Sequence, residues 1–272
     1  MQPAIDITRR SFLVHAGRGT IALAVLGVAG CGPSTISSAA PSSSASPGAT
    51  SEPSGSTQPS ASTGGGSSSA PPSAATGGVT WERANLGFVS AYILVRAGEA
   101  AIVDTGVGGS EGPIRDALVT AGVDWAQVGH VILTHKHGDH AGSISAVLGS
   151  VSGATGYAGE ADLPNITSPR PLTAVADGET VFGLRIVATP GHTVGHIAVL
   201  DEAGGILVAG DALGTSTGKL AGSNPSFTED AAAAKASVVK LGKLTFETLL
   251  VGHGEPILEG ASAQVAELAA AS

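Results

Sequence analysis

The chain has 272 residues, a formal charge of −9 from 13 basic and 22 acidic side chains, and only 3% aromatic residues. That acidic balance argues against nucleic acid as a partner, because phosphate-backbone affinity rests on basic patches. The few aromatics imply a core of Val, Leu, Ile and Ala, and a single cysteine, Cys31, rules out an intramolecular disulfide and a cysteine-rich metal site.

Residues 1–31 read as a targeting segment. Thr8-Arg9-Arg10-Ser11-Phe12-Leu13 precedes an apolar run from Ile21 to Ala29. The run is shorter than the roughly 20 apolar residues of a stable bilayer span, and it has the length of a secretory h-region. The paired arginines resemble a twin-arginine export signal, and Val28-Ala29-Gly30-Cys31 resembles the lipobox at which bacterial lipoproteins are cleaved and acylated. The expected location is therefore the outer face of the cytoplasmic membrane, with lipid on Cys31 as the anchor. An uncleaved amphipathic anchor is the competing reading.

Residues 32–78 hold almost only Ser, Ala, Pro, Gly and Thr, with Glu52 as the sole charge. Such a stretch cannot bury enough apolar surface to offset the entropy of ordering it. It reads as a linker that would span on the order of 35–40 Å as a flexible coil.

Residues 79–272 suffice for one domain with a substantial core. Strands are expected at Val79–Arg83, Phe88–Val95 and Ala100–Val103, the last delivering Asp104 to a turn. Ser110 and Pro113 mark a helix start, and Gly122 marks its stop. A strand from His130 to Thr134 follows, then Thr134-His135-Lys136-His137-Gly138-Asp139-His140, then a short helix through Ile144, Val147 and Leu148 whose N-terminal end holds Asp139 and His140. From Glu179 the pattern turns to hairpins, around Gly183 and around Gly204-Gly205. Thr228 is the expected cap of a helix running to about Leu241. Leu249–Val251 is a last strand, and Ala261–Ala271 a terminal helix. Strands and helix repeat twice, which suggests two sheets face to face with helices outside.

Three histidines and an aspartate within six residues are ligands of the kind Zn²⁺ takes, and crowding them into one loop costs folding energy unless something binds them. Further ligand-type residues stand at later strand ends: His192 in Thr189-Pro190-Gly191-His192, Asp211 in Ala209-Gly210-Asp211, and His253 in Gly252-His253-Gly254. With these motifs in this order, residues 79–272 resemble the metallo-β-lactamase fold superfamily of metal-dependent hydrolases, and most of all its glyoxalase-II-like and lactonase-like members.

The resemblance implies an α/β fold, an αββα four-layer sandwich of two facing mixed β-sheets. It implies that His135, His137 and His192 hold one metal, that Asp139, His140 and His253 hold a second, and that Asp211 bridges them. Asp104 would orient a ligand or loop from outside the ligand shell. Two Zn²⁺ are the expected cofactors, with iron the alternative. Bound metal lowers the pKa of water from 15.7 to roughly 7, so hydroxide is available at neutral pH. Asp139 has two open roles, metal ligand and proton shuttle to the leaving group.

Among the remaining residues, His196 reads as a core residue or a support behind the ligands, His130 as structural and Lys136 as solvated. Lys219 is the one basic residue on the loop after Asp211 placed to meet an anionic substrate, although a plain surface lysine is the simpler account. An aspartate at 211, where some β-lactamases of the family carry cysteine, favours cleavage of a thioester or lactone in a small-molecule substrate. The alanine-rich last helix has no basic cluster, which speaks against a glutathione thioester. The alternatives are a β-lactam hydrolase, a mononuclear iron dioxygenase acting on persulfides, and a non-catalytic metal-binding lipoprotein.

Overall fold

A computed structural model describes residues 77–272. The targeting segment, Cys31 and nearly all of the linker lie outside the described residues.

Three strands open the domain as an antiparallel meander: β1 (Thr80–Asn85), β2 (Ser90–Arg96) and β3 (Glu99–Val103). Helix α1 (Glu111–Thr120) returns the chain to β4 (Val128–Ile132), parallel to β3. Helices α2 (Gly138–Ala141) and α3 (Ile144–Ser150) precede β5 (Thr155–Gly159) and β6 (Thr173–Val175), which extend the same sheet in parallel.

Antiparallel strands β7 (Thr180–Val181), β8 (Leu184–Ala188), β9 (Ile197–Asp201) and β10 (Ile206–Val208) begin the second sheet. A small ribbon of β11 (Leu213–Gly214) and β12 (Ala221–Gly222) follows, then α4 (Ala231–Leu241). Strand β13 (Thr248–Leu250) pairs parallel with β10, and α5 (Ala261–Ala270) follows it. The sheet orders are β1-β2-β3-β4-β5-β6 and β13-β10-β9-β8-β7.

Central strands covered on both faces read as unbroken apolar runs, and alternate residues of each go to different cores. Tyr92, Leu94, Val103 and Ile132 of the first sheet meet Ile186, Val199, Val208 and Leu250 of the second in the middle core. Ile93, Ile102 and Val131 face the other way, onto Ile114 and Leu118 of α1 and Val147 and Leu148 of α3. Leu200, Leu207 and Leu249 likewise meet Val238 and Leu241 of α4 and Val265 of α5. The layers are helix, sheet, sheet, helix, the four-layer sandwich of the sequence reading.

Local expectations are corrected at three places. The single helix carrying Asp139 and His140 into Ile144 is two helices: Gly142 still has helical backbone angles, and the break comes at Ser143, with φ of −99° and ψ of 10°. The Ser143 hydroxyl meanwhile bonds Val107 O and the Ser110 N–H, which turns the chain before α3 restarts. The cap of α4 is Asp230, whose carboxylate accepts from the Ala232 and Ala233 N–H groups, whereas the Thr228 hydroxyl donates back to Asn224 O. Strand β4 runs from Val128 to Ile132 rather than to Thr134, because Thr134 N–H leaves the ladder for the Asp104 carboxylate.

Candidate metal centre

Every ligand-type residue named above follows the C-terminal end of a strand: Asp104 after β3, His135 after β4, His192 after β8, Asp211 after β10 and His253 after β13. Strands β3 and β4 are parallel, as are β10 and β13, so these ends gather on one rim. Two backbone bonds tie the sheets together there, Ile197 N–H to Thr134 O at 2.8 Å and Ser90 N–H to Gly252 O at 2.9 Å.

The rim brings the side chains into two groups. His135 Nε2 lies 3.1 Å from His137 Nδ1, which lies 3.0 Å from His192 Nε2. In the second group His140 Nε2 lies 3.4 Å from His253 Nε2, and Asp139 Oδ2 lies 3.2 Å from the same His253 nitrogen. Asp211 stands between the groups. Its Oδ2 is 3.3 Å from His192 Nε2 and 3.2 Å from His253 Nε2, and its Oδ1 is 3.2 Å from His140 Nε2. Gly252 makes this approach possible, since a Cβ there would collide with Asp211 Oδ1 and the His140 ring.

In His135, His140 and His253 the opposite ring nitrogen fixes which one faces the rim. Asp104 accepts from Thr134 N–H at 2.7 Å, from the Thr134 hydroxyl at 2.8 Å and from His140 Nδ1 at 2.8 Å. With its proton given to Asp104, the Thr134 oxygen accepts from His135 Nδ1 at 3.1 Å. Both Nε2 atoms are thereby left turned inward. His253 Nδ1 donates to Phe88 O at 2.7 Å with the same result, and the Phe88 ring stacks on the imidazole.

His196 uses both of its nitrogens elsewhere: Nδ1 meets Thr189 Oγ1 at 2.8 Å, and Nε2 accepts the Asp211 N–H at 3.0 Å. It holds the Asp211 backbone and has no nitrogen left over for a metal.

Burial pushes the imidazolium of His135 well down, that of His192 to about 4 and that of His196 to about 3, which keeps these rings neutral. The second group behaves oppositely. Burial lowers His140, but Asp104 and then Asp211 outweigh it and carry it up to about 10. Asp139, then Asp211, raise His253 to about 10. Burial opposes the Asp211 carboxylate charge, and His140 and His253 overcome it to hold the carboxyl well below its usual range. The carboxylates thus call for positive charge at this rim.

The metallo-beta-lactamase superfamily model matches residues 84–253. The chain belongs to this superfamily. Over 236 residues it is 29% identical to the probable metallo-hydrolase YflN of Bacillus subtilis, covering 70% of this chain and 88% of that protein. Over 121 residues it is 36% identical to the hydroxyacylglutathione hydrolase of Methylococcus capsulatus, covering 43% of this chain and 44% of that enzyme. The chain spans less than half the length of the hydroxyacylglutathione hydrolases it matches. Among solved structures, the metallo-beta-lactamase family protein TTHA1429 from Thermus thermophilus aligns with a TM-score of 0.57 at 25% identity, covering 71% of this chain and 79% of that one.

The metallo-beta-lactamase superfamily is one of metal-dependent hydrolases, and the donor set here fits divalent ions. Nitrogens of a tetrahedral zinc site at 2.0–2.1 Å from the ion lie roughly 3.3 Å apart, close to the 3.0 and 3.1 Å spacings of the three-histidine group. Asp211 Oδ1 is buried with the His140 Nε2 atom at 3.2 Å but out of hydrogen-bond alignment, an acceptor of the kind a cation satisfies. The ligand atoms of His135, His137 and His192 lie within 4.8 Å of one another, as do those of Asp139, His140 and His253.

Other residues depart from the sequence reading. Lys136 is not simply solvated: its ammonium pairs with Glu229 at 2.7 Å. Lys219 is exposed and lines a recess of about 460 Å³ with Thr215, Leu220, Glu255 and Gln264, apart from the ligand set. His130, inside β4, has its Nδ1 3.2 Å from the Tyr157 hydroxyl and lies against the Phe182 ring. Asp162 escapes the sequence reading altogether. It lies in a segment without periodicity, and its importance comes from partners 26 to 33 positions away.

Proposed function

We propose that this metallo-beta-lactamase superfamily hydrolase cleaves an acyl bond of the thioester or lactone type in a small molecule, using two divalent ions, zinc foremost. The observation that carries the reading is Asp211, whose one carboxylate oxygen lies 3.3 Å from His192 and 3.2 Å from His253, within reach of both histidine groups. His135, His137 and His192 would hold one ion; Asp139, His140 and His253 would hold the other; Asp211 would touch both. Bound there, divalent ions supply Lewis acidity, which brings coordinated water to a pKa of roughly 7 and offsets charge developing on the substrate's carbonyl oxygen.

The remaining work falls to the chain itself. Asp104, through Thr134 and directly, keeps the Nε2 atoms of His135 and His140 turned inward. His196 keeps Asp211 in place. Asp139 is the more open carboxylate, its side chain 28% exposed against 11% for Asp211, and we assign it proton transfer to the leaving group in addition to ligation. The relatives named hydroxyacylglutathione hydrolase support acyl transfer to water as the chemistry.

The sequence of residues 1–78 extends the reading to location. Arg9-Arg10 would direct twin-arginine export, Cys31 would carry the lipid, and residues 32–78 would hold the hydrolase off the outer face of the cytoplasmic membrane.

A panel of thioester, lactone and nitrocefin substrates, with metal counted in the same sample, tests the function. Turnover of a thioester or lactone supports it. Turnover of nitrocefin alone moves the reading to β-lactams, and one iron with oxygen uptake on a persulfide overturns it.

A further inference from the structure

Asp162 is a fully buried carboxylate with no cationic side chain in salt-bridge reach among the described residues. A buried charge without a paired cation is costly unless hydrogen bonds compensate it. Here the compensation comes from three donors. Oδ2 accepts from Lys136 N–H at 3.0 Å and from the Thr193 hydroxyl at 2.6 Å, and Oδ1 accepts from Gly195 N–H at 2.9 Å.

These donors flank the three histidines of the first group. Lys136 lies between His135 and His137, and Thr193 and Gly195 follow His192. One carboxylate therefore joins the two loops that carry the whole group. Its own backbone is anchored, because Asp162 N–H donates to Gly159 O at 3.0 Å at the end of β5. The approach is also built in at Gly195, where a Cβ would run into the Asp162 backbone nitrogen and carboxyl carbon. On the solvent side Glu229 repeats the link more loosely, pairing with Lys136 Nζ at 2.7 Å and accepting Val194 N–H at 3.1 Å. Glu229 is exposed, so its pair is worth little.

We propose that Asp162, with Thr193, is a positioning residue that sets the spacing of His137 and His192 and thereby the affinity of the three-histidine group for metal. It touches neither metal nor substrate and acts through the loops. The inference rests on the three histidines holding a metal, as proposed above.

The test is a Zn²⁺ and Co²⁺ titration of the apo full chain against a competing chelator, with the Co²⁺ visible spectrum and the apo melting temperature recorded alongside. Asp162→Asn keeps the volume, but its amide nitrogen must face a backbone N–H, so the loops part. The expected result is a loss of about 10–100-fold in affinity at the three-histidine group, an altered Co²⁺ spectrum there, and unchanged affinity at the Asp139, His140 and His253 group. Glu229→Gln should leave both affinities within about 2-fold.

If Asp162→Asn does not fold, Thr193→Val carries the test, since it removes one donor and should weaken the same group several-fold. A lowered apo melting temperature with unchanged metal affinity in either folded variant would show a scaffold role only and overturn the proposal. Failure of the underlying reading looks different: the chain with His135 and His137 both replaced by Ala would then bind as much metal as the parent.

Discussion

His140 Nδ1 donates to Asp104 Oδ2 at 2.8 Å, and the same oxygen takes the hydroxyl proton of Thr134, whose oxygen in turn accepts from His135 Nδ1. One buried carboxylate thus decides which nitrogen faces the rim in each of the two groups. Asp104 does so from a left-handed backbone, with φ of 64°, which Asp and Asn tolerate better than other residues bearing a side chain.

Asp104→Asn therefore tests the charge without disturbing the backbone. The amide would present a donor to His140 or to Thr134, turning a ring or breaking the relay. Metal affinity should fall by about 10–100-fold, and both groups should be affected because both hang from this residue. Equilibrium dialysis followed by elemental analysis reads the result, and undiminished metal content would refute the relay.

Asp211→Asn should lower metal occupancy and turnover together, because its carboxylate lies within 3.3 Å of ligand nitrogens in both groups. Metal counting and steady-state rates on one preparation check this. Two ions per chain with an unchanged rate would show that Asp211 joins nothing.

Tyr92 links the middle core to the site, since its hydroxyl donates to Val251 O at 2.8 Å, two positions before His253. Tyr92→Phe should cost about 1 kcal/mol, or a melting-temperature drop of about 2–4 °C. Burial raises the phenol from 10.0 to about 12, so the folded state favours the protonated form. That stabilisation is fully present below pH 10 and is lost as pH rises through about 12. The stability gap between the parent and Tyr92→Phe should accordingly close over that window in chemical-denaturation curves. A gap that stays constant to pH 12 would contradict the assignment.

Lys replacements at Arg9 and Arg10 should leave the chain inside the cell, because the export reading depends on that pair. Cell fractionation decides it, and normal surface display of the variant would end the export reading.

Much of the rim was legible because each candidate ligand follows an apolar run buried on both faces, such as Ile102-Val103 before Asp104 and Leu249-Leu250 before Gly252-His253. Strand ends and short loops leave a ligand's position little freedom, so order along the chain translates into place. The supports behind the ligands were less legible. Asp162 gains its meaning from Lys136, Thr193 and Gly195, contacts that only the closed sandwich creates. The break between α2 and α3 comes at Ser143, whose hydroxyl bonds Val107 and Ser110, partners 36 and 33 positions away that no local propensity encodes. His196 was readable as a buried support, but the bond that gives it purpose, from Asp211 N–H, exists only once β9 and β10 are paired.

The central claim is a two-metal hydrolytic centre, and the most direct measurement counts divalent ions per chain in the parent and in His253→Ala while following thioester and lactone hydrolysis in the same samples. Two ions in the parent, one in the variant and a fall in turnover with the lost ion are predicted. Two ions retained in His253→Ala, or a parent that hydrolyses at full rate with one, would contradict it.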